Sequence, residues 1–228
     1  AAKFVKDLAR NGGSLLILCT KRQAQPILDE KIRELKESGA GDIYWVTKRW
    51  IGGTLTNLSE VSKNFRKLKD LEKRLKDEFE KDKYTKREIG EWEKERQKLE
   101  GFYGGIVSMN KIPGALFIID THNENLAVLE AKMMNVSMVG ITDTNSDPTF
   151  IDYPIPANDD AVGSLRLIID YIIDAWKEGK KEQEKLKAEG EKLKAEEEKV
   201  KAEEEEKKDV TEKVKKVKAD EKKLAKAA

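Results

Sequence analysis

Three short runs of the chain are almost wholly apolar: Ser-Leu-Leu-Ile-Leu-Cys at 14–19, Ala-Leu-Phe-Ile-Ile at 115–119 and Ser-Met-Val-Gly-Ile at 137–141. A strand with one wet face alternates apolar and polar residues, whereas a continuous apolar run must be covered on both faces, as in a parallel sheet layered with helices. The stretches between these runs have helical spacing. One helix is predicted from about residue 23 to 37, with Ala24, Ile27, Leu28, Ile32 and Leu35 on one face and Gly39 ending it. A second short strand is expected over 43–46 and another helix from Asn123 or Glu124 to Asn135. A last helix should run from about Asp159 into Trp176, with Asn158 as its N-cap. Strands alternating with helices define an α/β fold with a doubly wound, mainly parallel sheet flanked by helices.

Two segments break this grammar. In 56–101, Leu58, Val61, Phe65, Leu68, Leu71 or Glu72, Leu75 and Phe79 recur at three- and four-residue steps, although 26 of the 46 residues are charged. Thr85-Lys86-Arg87-Glu88 has the form of a capping box, and Ile89, Trp92, Arg96 and Leu99 continue the pattern on a second helix. This predicts an inserted antiparallel coiled-coil hairpin projecting from an α/β domain made of 1–55 and 102–176. The remainder, 177–228, repeats seven residues three times, beginning at Lys185, Lys192 and Lys199, and is expected to be a charged, partly helical tail.

The 45 basic and 44 acidic side chains leave a net charge of +1, which on its own argues against a nucleic-acid partner. The distribution argues otherwise. Residues 1–55 carry +4, 56–101 carry +2, 102–176 carry −7 and 177–228 carry +2. Such a segregated chain is suited to RNA on one side and basic proteins on the other. No apolar run approaches the ~18 residues of a membrane span, so no membrane partner is expected. A single Cys19 cannot form an internal disulfide, which points to a reducing, cytoplasmic setting.

An enzyme remains conceivable. Asp120, Asp143 and Asp147 follow predicted strands, where ligands of doubly wound sheets bind, and converging carboxylates there would suit Mg²⁺-dependent phosphatase or hydrolase chemistry. Against it, the turn Thr20-Lys21-Arg22-Gln23 has no glycine-rich phosphate cradle, and the sole His122 and Cys19 cannot assemble a nucleophile pair or a zinc site. No cofactor, metal or small-molecule substrate is expected. Asp, Asn, Ser and Thr are also what turns and helix starts require.

The stretch Thr47-Lys48-Arg49-Trp50-Ile51-Gly52-Gly53-Thr54-Leu55-Thr56-Asn57 combines phosphate-pairing charge with a flat ring on which a base can lie. Equally, Trp50 can plug the joint between domain and hairpin. Here the chain resembles a known family: Arg49 to Asn57 is similar to the signature of the small-subunit ribosomal protein S-two family, in its bacterial or organellar form. The stretches from Asn11 to Ala24, from Pro113 to Asp120, from Gly140 to Pro148 and from Ile155 to Ala161 agree, so the resemblance covers about 1–176.

The resemblance implies a non-catalytic constituent of the small ribosomal subunit, contacting small-subunit rRNA and neighbouring ribosomal proteins, with the S-one protein a possible further partner. The implied location is the cytoplasmic ribosome rather than an organellar one. The family pattern has a segment before the equivalent of Ala1, so an N-terminally incomplete chain is expected. Chosen by charge and placement, the candidate RNA contacts are Lys21, Arg22, Lys48, Arg49 and Trp50 in the domain, with Lys63, Arg66, Lys67, Arg87 and Arg96 on the hairpin.

Overall fold

The computed structural model describes residues 1–37 and 41–189. Residues 1–181 form one compact unit; of the unit that follows, 182–189 are described and are helical. The heptad-like repeats, apart from their first residues, lie outside the described residues.

Five parallel strands form the sheet: β1 (Leu15–Leu18), β2 (Ile43–Val46), β3 (Ala115–Ile118), β4 (Ser137–Thr142) and β5 (Tyr153–Pro156), in the order β2-β1-β3-β4-β5. Among the described residues seven α-helices accompany it, besides a 3-10 turn at Pro148–Phe150: α1 (Ala2–Arg10), α2 (Gln25–Glu37), α3 (Leu58–Lys76), α4 (Glu78–Lys81), α5 (Lys86–Tyr103), α6 (Asn125–Met133) and α7, residues 162–181. The apolar runs are buried on both sides because alternate residues feed two separate cores. Leu15, Ile17, Phe117 and Val139 face Val5 of α1, Ile27, Leu28 and Ile32 of α2, and Leu165, Ile169, Ile173 and Trp176 of α7. Leu16, Leu18, Leu116 and Met138 face Ala127 and Val128 of α6, together with Val61, Phe65 and Tyr103 at the base of the hairpin. The period of two along each strand thus assigns each helix to a layer.

α3 and α5 run antiparallel: Asn64 Nδ2 donates to the Tyr103 hydroxyl at 3.0 Å, Lys67 pairs with Glu95, and the Arg74 guanidinium lies over Trp92. The capping box forms as the sequence predicts, with Thr85 and Glu88 exchanging bonds at the start of α5. Val61, Phe65, Leu68 and Leu71 are buried in the seam, but Phe79 is not; α4 turns it outward and it is 84% exposed.

The structure departs from the sequence expectations in four further places. It adds α1, of which only Val5 and Ala9 are fully buried, and β5, an edge strand carrying Pro154 and Pro156. Such prolines are tolerated where no partner strand requires the N–H. The last helix begins at 162 rather than 159 and continues past Trp176. Asn158 does serve its approach, since its Oδ1 accepts from Asp160 N at 2.7 Å and Ala161 N at 3.0 Å, but these bonds close a turn ahead of the helix.

Candidate nucleic-acid interface

The carboxyl ends of β1 and β2 lie side by side, so the loops leaving them are neighbours. Cys19 N donates to Val46 O at 2.9 Å, extending the ladder by one bond. Gln25, at the start of α2, then fastens the two loops together, because its side-chain amide donates to Thr20 O at 2.9 Å and to Thr47 O at 2.8 Å. Two neutral backbone acceptors are thereby satisfied by one side chain, and the residues that follow them are held close. These residues are Lys21-Arg22 and Lys48-Arg49.

Arg22, Lys48 and Arg49 are exposed and form no ion pair with any described residue. Lys48 lies along α5 at Gly101, where a Cβ would stand 2.8 Å from Lys48 Cε and closer still to its ammonium. A side chain at 101 would push the end of Lys48 aside. Arg49 also acts on Glu124, whose carboxyl is pushed up by burial and partly drawn back by the Thr20 hydroxyl and by Arg49 itself. Three unpaired cations on two clamped loops form a surface matched to phosphates.

Lys21 is placed differently from its neighbour. Its ammonium lies 2.7 Å from Asp159 Oδ1, 2.7 Å from Asp160 Oδ1 and 3.4 Å from Asp120 Oδ2. Burial disfavours the Lys21 charge, but the bonds to Asp159 and Asp160 and the field of Asp120 outweigh it, so its pKa is raised. The cluster sits at the carboxyl ends of β1 and β3, the point where strand order reverses and ligands of such sheets bind. Here that crevice holds a lysine and its counter-charges.

Trp50 takes the structural alternative. It is 5% exposed and packs between Val46, Leu55 and the base of the hairpin, leaving its ring no open face for a base. Its indole N–H donates to Glu130 Oε1 at 3.1 Å. Glu130 projects from α6 into the 50–57 loop and also accepts from Gly53 N at 2.8 Å, Leu55 N at 3.0 Å, and the Thr56 N–H and hydroxyl at 3.3 and 3.2 Å. Gly53 has φ +90°, a left-handed conformation that aims its N–H at the carboxylate. Burial alone would raise the Glu130 pKa, but these donors lower it below the ordinary value. Glu130 thus organises the entry to α3, and no spacing rule in the sequence points to it.

On the hairpin, Arg66 is exposed and unpaired among the described residues. Lys63, Lys67, Arg87 and Arg96 pair with Glu60, Glu95, Glu91 and Glu100 respectively. Such solvent-exposed pairs contribute only about 0–1 kcal/mol, so they do not withhold these cations from a polyanion.

The carboxylates proposed for Mg²⁺ are occupied elsewhere. Asp120 accepts from Asn123 N and Nδ2 at 2.9 and 2.6 Å, Asp143 from Thr144 N at 2.6 Å, and Asp147 from Thr149 N at 2.9 Å. Hydrogen bonds to Thr144 and to Thr149 hold Asp143 and Asp147 below the usual carboxylate range. Among the described residues no group of three His, Cys, Asp or Glu is placed to hold a metal ion. Burial pushes the Cys19 thiol up to about 12, so it is no nucleophile at neutral pH.

The chain is thus a parallel α/β domain whose crevice holds Lys21 and its counter-charges and whose clamped loops carry exposed cations. The Ribosomal protein S2 family matches residues 1–179, and this chain is a member of that family. It is 43% identical over 184 residues to the small ribosomal subunit protein uS2 of Sorangium cellulosum (strain So ce56), covering 81% of this chain and 64% of that relative. The chain therefore spans a little under two thirds of that relative's length.

Proposed function

We propose that this chain is a structural, non-catalytic constituent of the small ribosomal subunit. It binds small-subunit rRNA through the clamped loops after β1 and β2 and through basic positions on the hairpin, and contacts neighbouring ribosomal proteins. The observation that supports this most is the set of three unpaired cations, Arg22, Lys48 and Arg49, in a chain of the S2 family. The contacts nearest the domain are those three; Arg66, Lys63, Lys67, Arg87 and Arg96 extend the surface along the hairpin. Lys21 acts indirectly, by fixing the backbone from which Arg22 projects, and Trp50 by fixing the loop that carries Arg49. The cytoplasmic ribosome is the corresponding location, and a multi-domain S-one-type protein remains among the partners.

Sedimentation of a tagged chain from a bacterial lysate tests this reading. The tagged protein should travel with the small-subunit peak and remain on it when lowered Mg²⁺ separates the subunits. Recovery only in the slowly sedimenting protein fractions would overturn it.

A further inference from the structure

Helix α6 is apolar on two opposite sides. Ala127, Val128 and Ala131 face the sheet and are buried, while Leu126, Leu129 and Met133, spaced by three and four residues, form the other pole and are exposed, Met133 by 74%. A surface helix keeps its outer pole polar, and apolar residues on both poles are the pattern of a helix covered on both. The outer pole begins at the 50–57 loop, where a Cβ on Gly52 would stand 3.5 Å from Leu126 Cδ2. Lys132, three residues after Leu129 and one before Met133, joins it to Phe150, because its ammonium lies 4.2 Å from the centre of that ring. Phe150 is half-exposed on the 3-10 turn that Asp147 closes, its Oδ1 accepting from Thr149 N at 2.9 Å. Lys132, Phe150 and Asp152 line one cavity of about 310 Å³.

The chemistry of this patch selects its partner. Leu126, Leu129 and Met133 offer neither a flat ring on which a base stacks nor a cation for a phosphate, and Lys132 already lies over the Phe150 ring. The rim is acidic. Residues 143–152 hold Asp143, Asp147 and Asp152 and no basic side chain, and Asp147 and Asp152 are exposed without an ion pair to any described residue. Phosphates are repelled by such a rim, whereas a basic protein is attracted. A second copy of this chain fits badly, because two acidic rims would meet, and because four apolar side chains fall far short of the ~20–30 residues a side of a stable stand-alone interface. A contact of this size suits an assembly held together elsewhere as well. Its row of side chains at three- and four-residue steps is the ridge against which another helix packs.

We propose that the outer face of α6, together with Phe150, docks a basic amphipathic helix of a neighbouring small-subunit protein, whose apolar side covers Leu126, Leu129, Met133 and Phe150 and whose cations meet Asp147 and Asp152. This rests on the reading of the chain as a small-subunit constituent, and adds which face meets protein and the chemistry of what it meets.

The test uses the full tagged chain expressed in a bacterium, with the photo-crosslinker benzoylphenylalanine in place of Leu129, irradiated in small subunits isolated by sedimentation. A second chain carries Leu129→Lys and Met133→Lys. Both positions lie outside the two cores, so the free variant should match wild type in helicity and urea midpoint. The proposal expects the crosslink to fall on a small-subunit protein, within a segment that has cations and an apolar face at helical spacing. Supplied together with an equal amount of wild type, the double lysine variant should be recovered in small subunits ~10-fold less, as two buried apolar contacts are lost. No adduct, an adduct on rRNA or one on a protein segment without that pattern would overturn the docking face. Recovery of the lysine variant equal to or above wild type would overturn it too, since added cations strengthen an RNA contact. Each of these results leaves the ribosomal reading intact, whereas wild type missing from the small-subunit peak would remove both.

Discussion

Replacing Lys21 with methionine should lower the unfolding free energy by about 3 kcal/mol, because breaking a buried ion pair by deleting one partner strands the other charge. The aliphatic volume is kept, but Asp120 and Asp159, each 2% exposed, lose the ammonium that offsets their desolvation. Asp160 is largely exposed and contributes little. Urea unfolding at neutral pH, with the denaturant slope unchanged, measures the loss. Adding Asp159→Asn to Lys21→Met should recover part of it, since the stranded carboxylate is then gone. A loss below about 1 kcal/mol would mean that water, not Lys21, compensates these acids. The sign of the pH dependence follows from the raised Lys21 pKa: its contribution is complete below the ordinary lysine value and disappears only as pH rises through the higher folded value.

Glu130→Ala should be comparably damaging, by about 3 kcal/mol or more, because each buried donor left unsatisfied costs ~1–3 kcal/mol. The orphaned groups are the Trp50 indole N–H and the N–H groups of Gly53 and Leu55. Glu130→Gln keeps one acceptor oxygen and should cost less. It should also remove a pH dependence: a carboxyl with a lowered folded pKa stabilises above its unfolded value and loses that contribution as pH falls through the folded one. Wild type should therefore lose stability in acid through a component missing from Glu130→Gln. Identical acid unfolding curves for the two proteins would contradict this assignment. Because the same loop carries Lys48 and Arg49, Glu130→Ala should weaken RNA binding as well.

What could be read from the sequence was whatever depended on local pattern. Leu15–Leu18 and Ala115–Ile118 are strands because nothing in them tolerates water, and the Thr85–Glu88 box starts α5 because its bonds close within one turn. What could not be read depended on distant contacts. Glu130 meets its donors 74 to 80 positions away, and Lys21 meets Asp120 and Asp159 across still longer stretches of chain. Charge summed by segment shares this blindness. The −7 of residues 102–176 includes Asp120, Asp159 and Asp160 held by Lys21, Asp170 beside Lys31, and Glu130 buried among N–H donors. Much of that acidity is internal, so it describes the fold as much as any outer face. The choice between a stacking and a plugging Trp50 likewise needed the position of α6, which no local pattern supplies.

The central claim, that Arg22, Lys48 and Arg49 meet rRNA phosphates, is tested most directly by the salt dependence of affinity for a small-subunit rRNA transcript. Wild type should bind with a steeply negative slope of log affinity against log salt. The triple variant R22A/K48A/R49A should have a slope shallower by about 2–3, because each phosphate it no longer neutralises removes ~0.7–0.9 from the slope. A flat wild-type response, or a triple variant with the wild-type slope, would contradict the account.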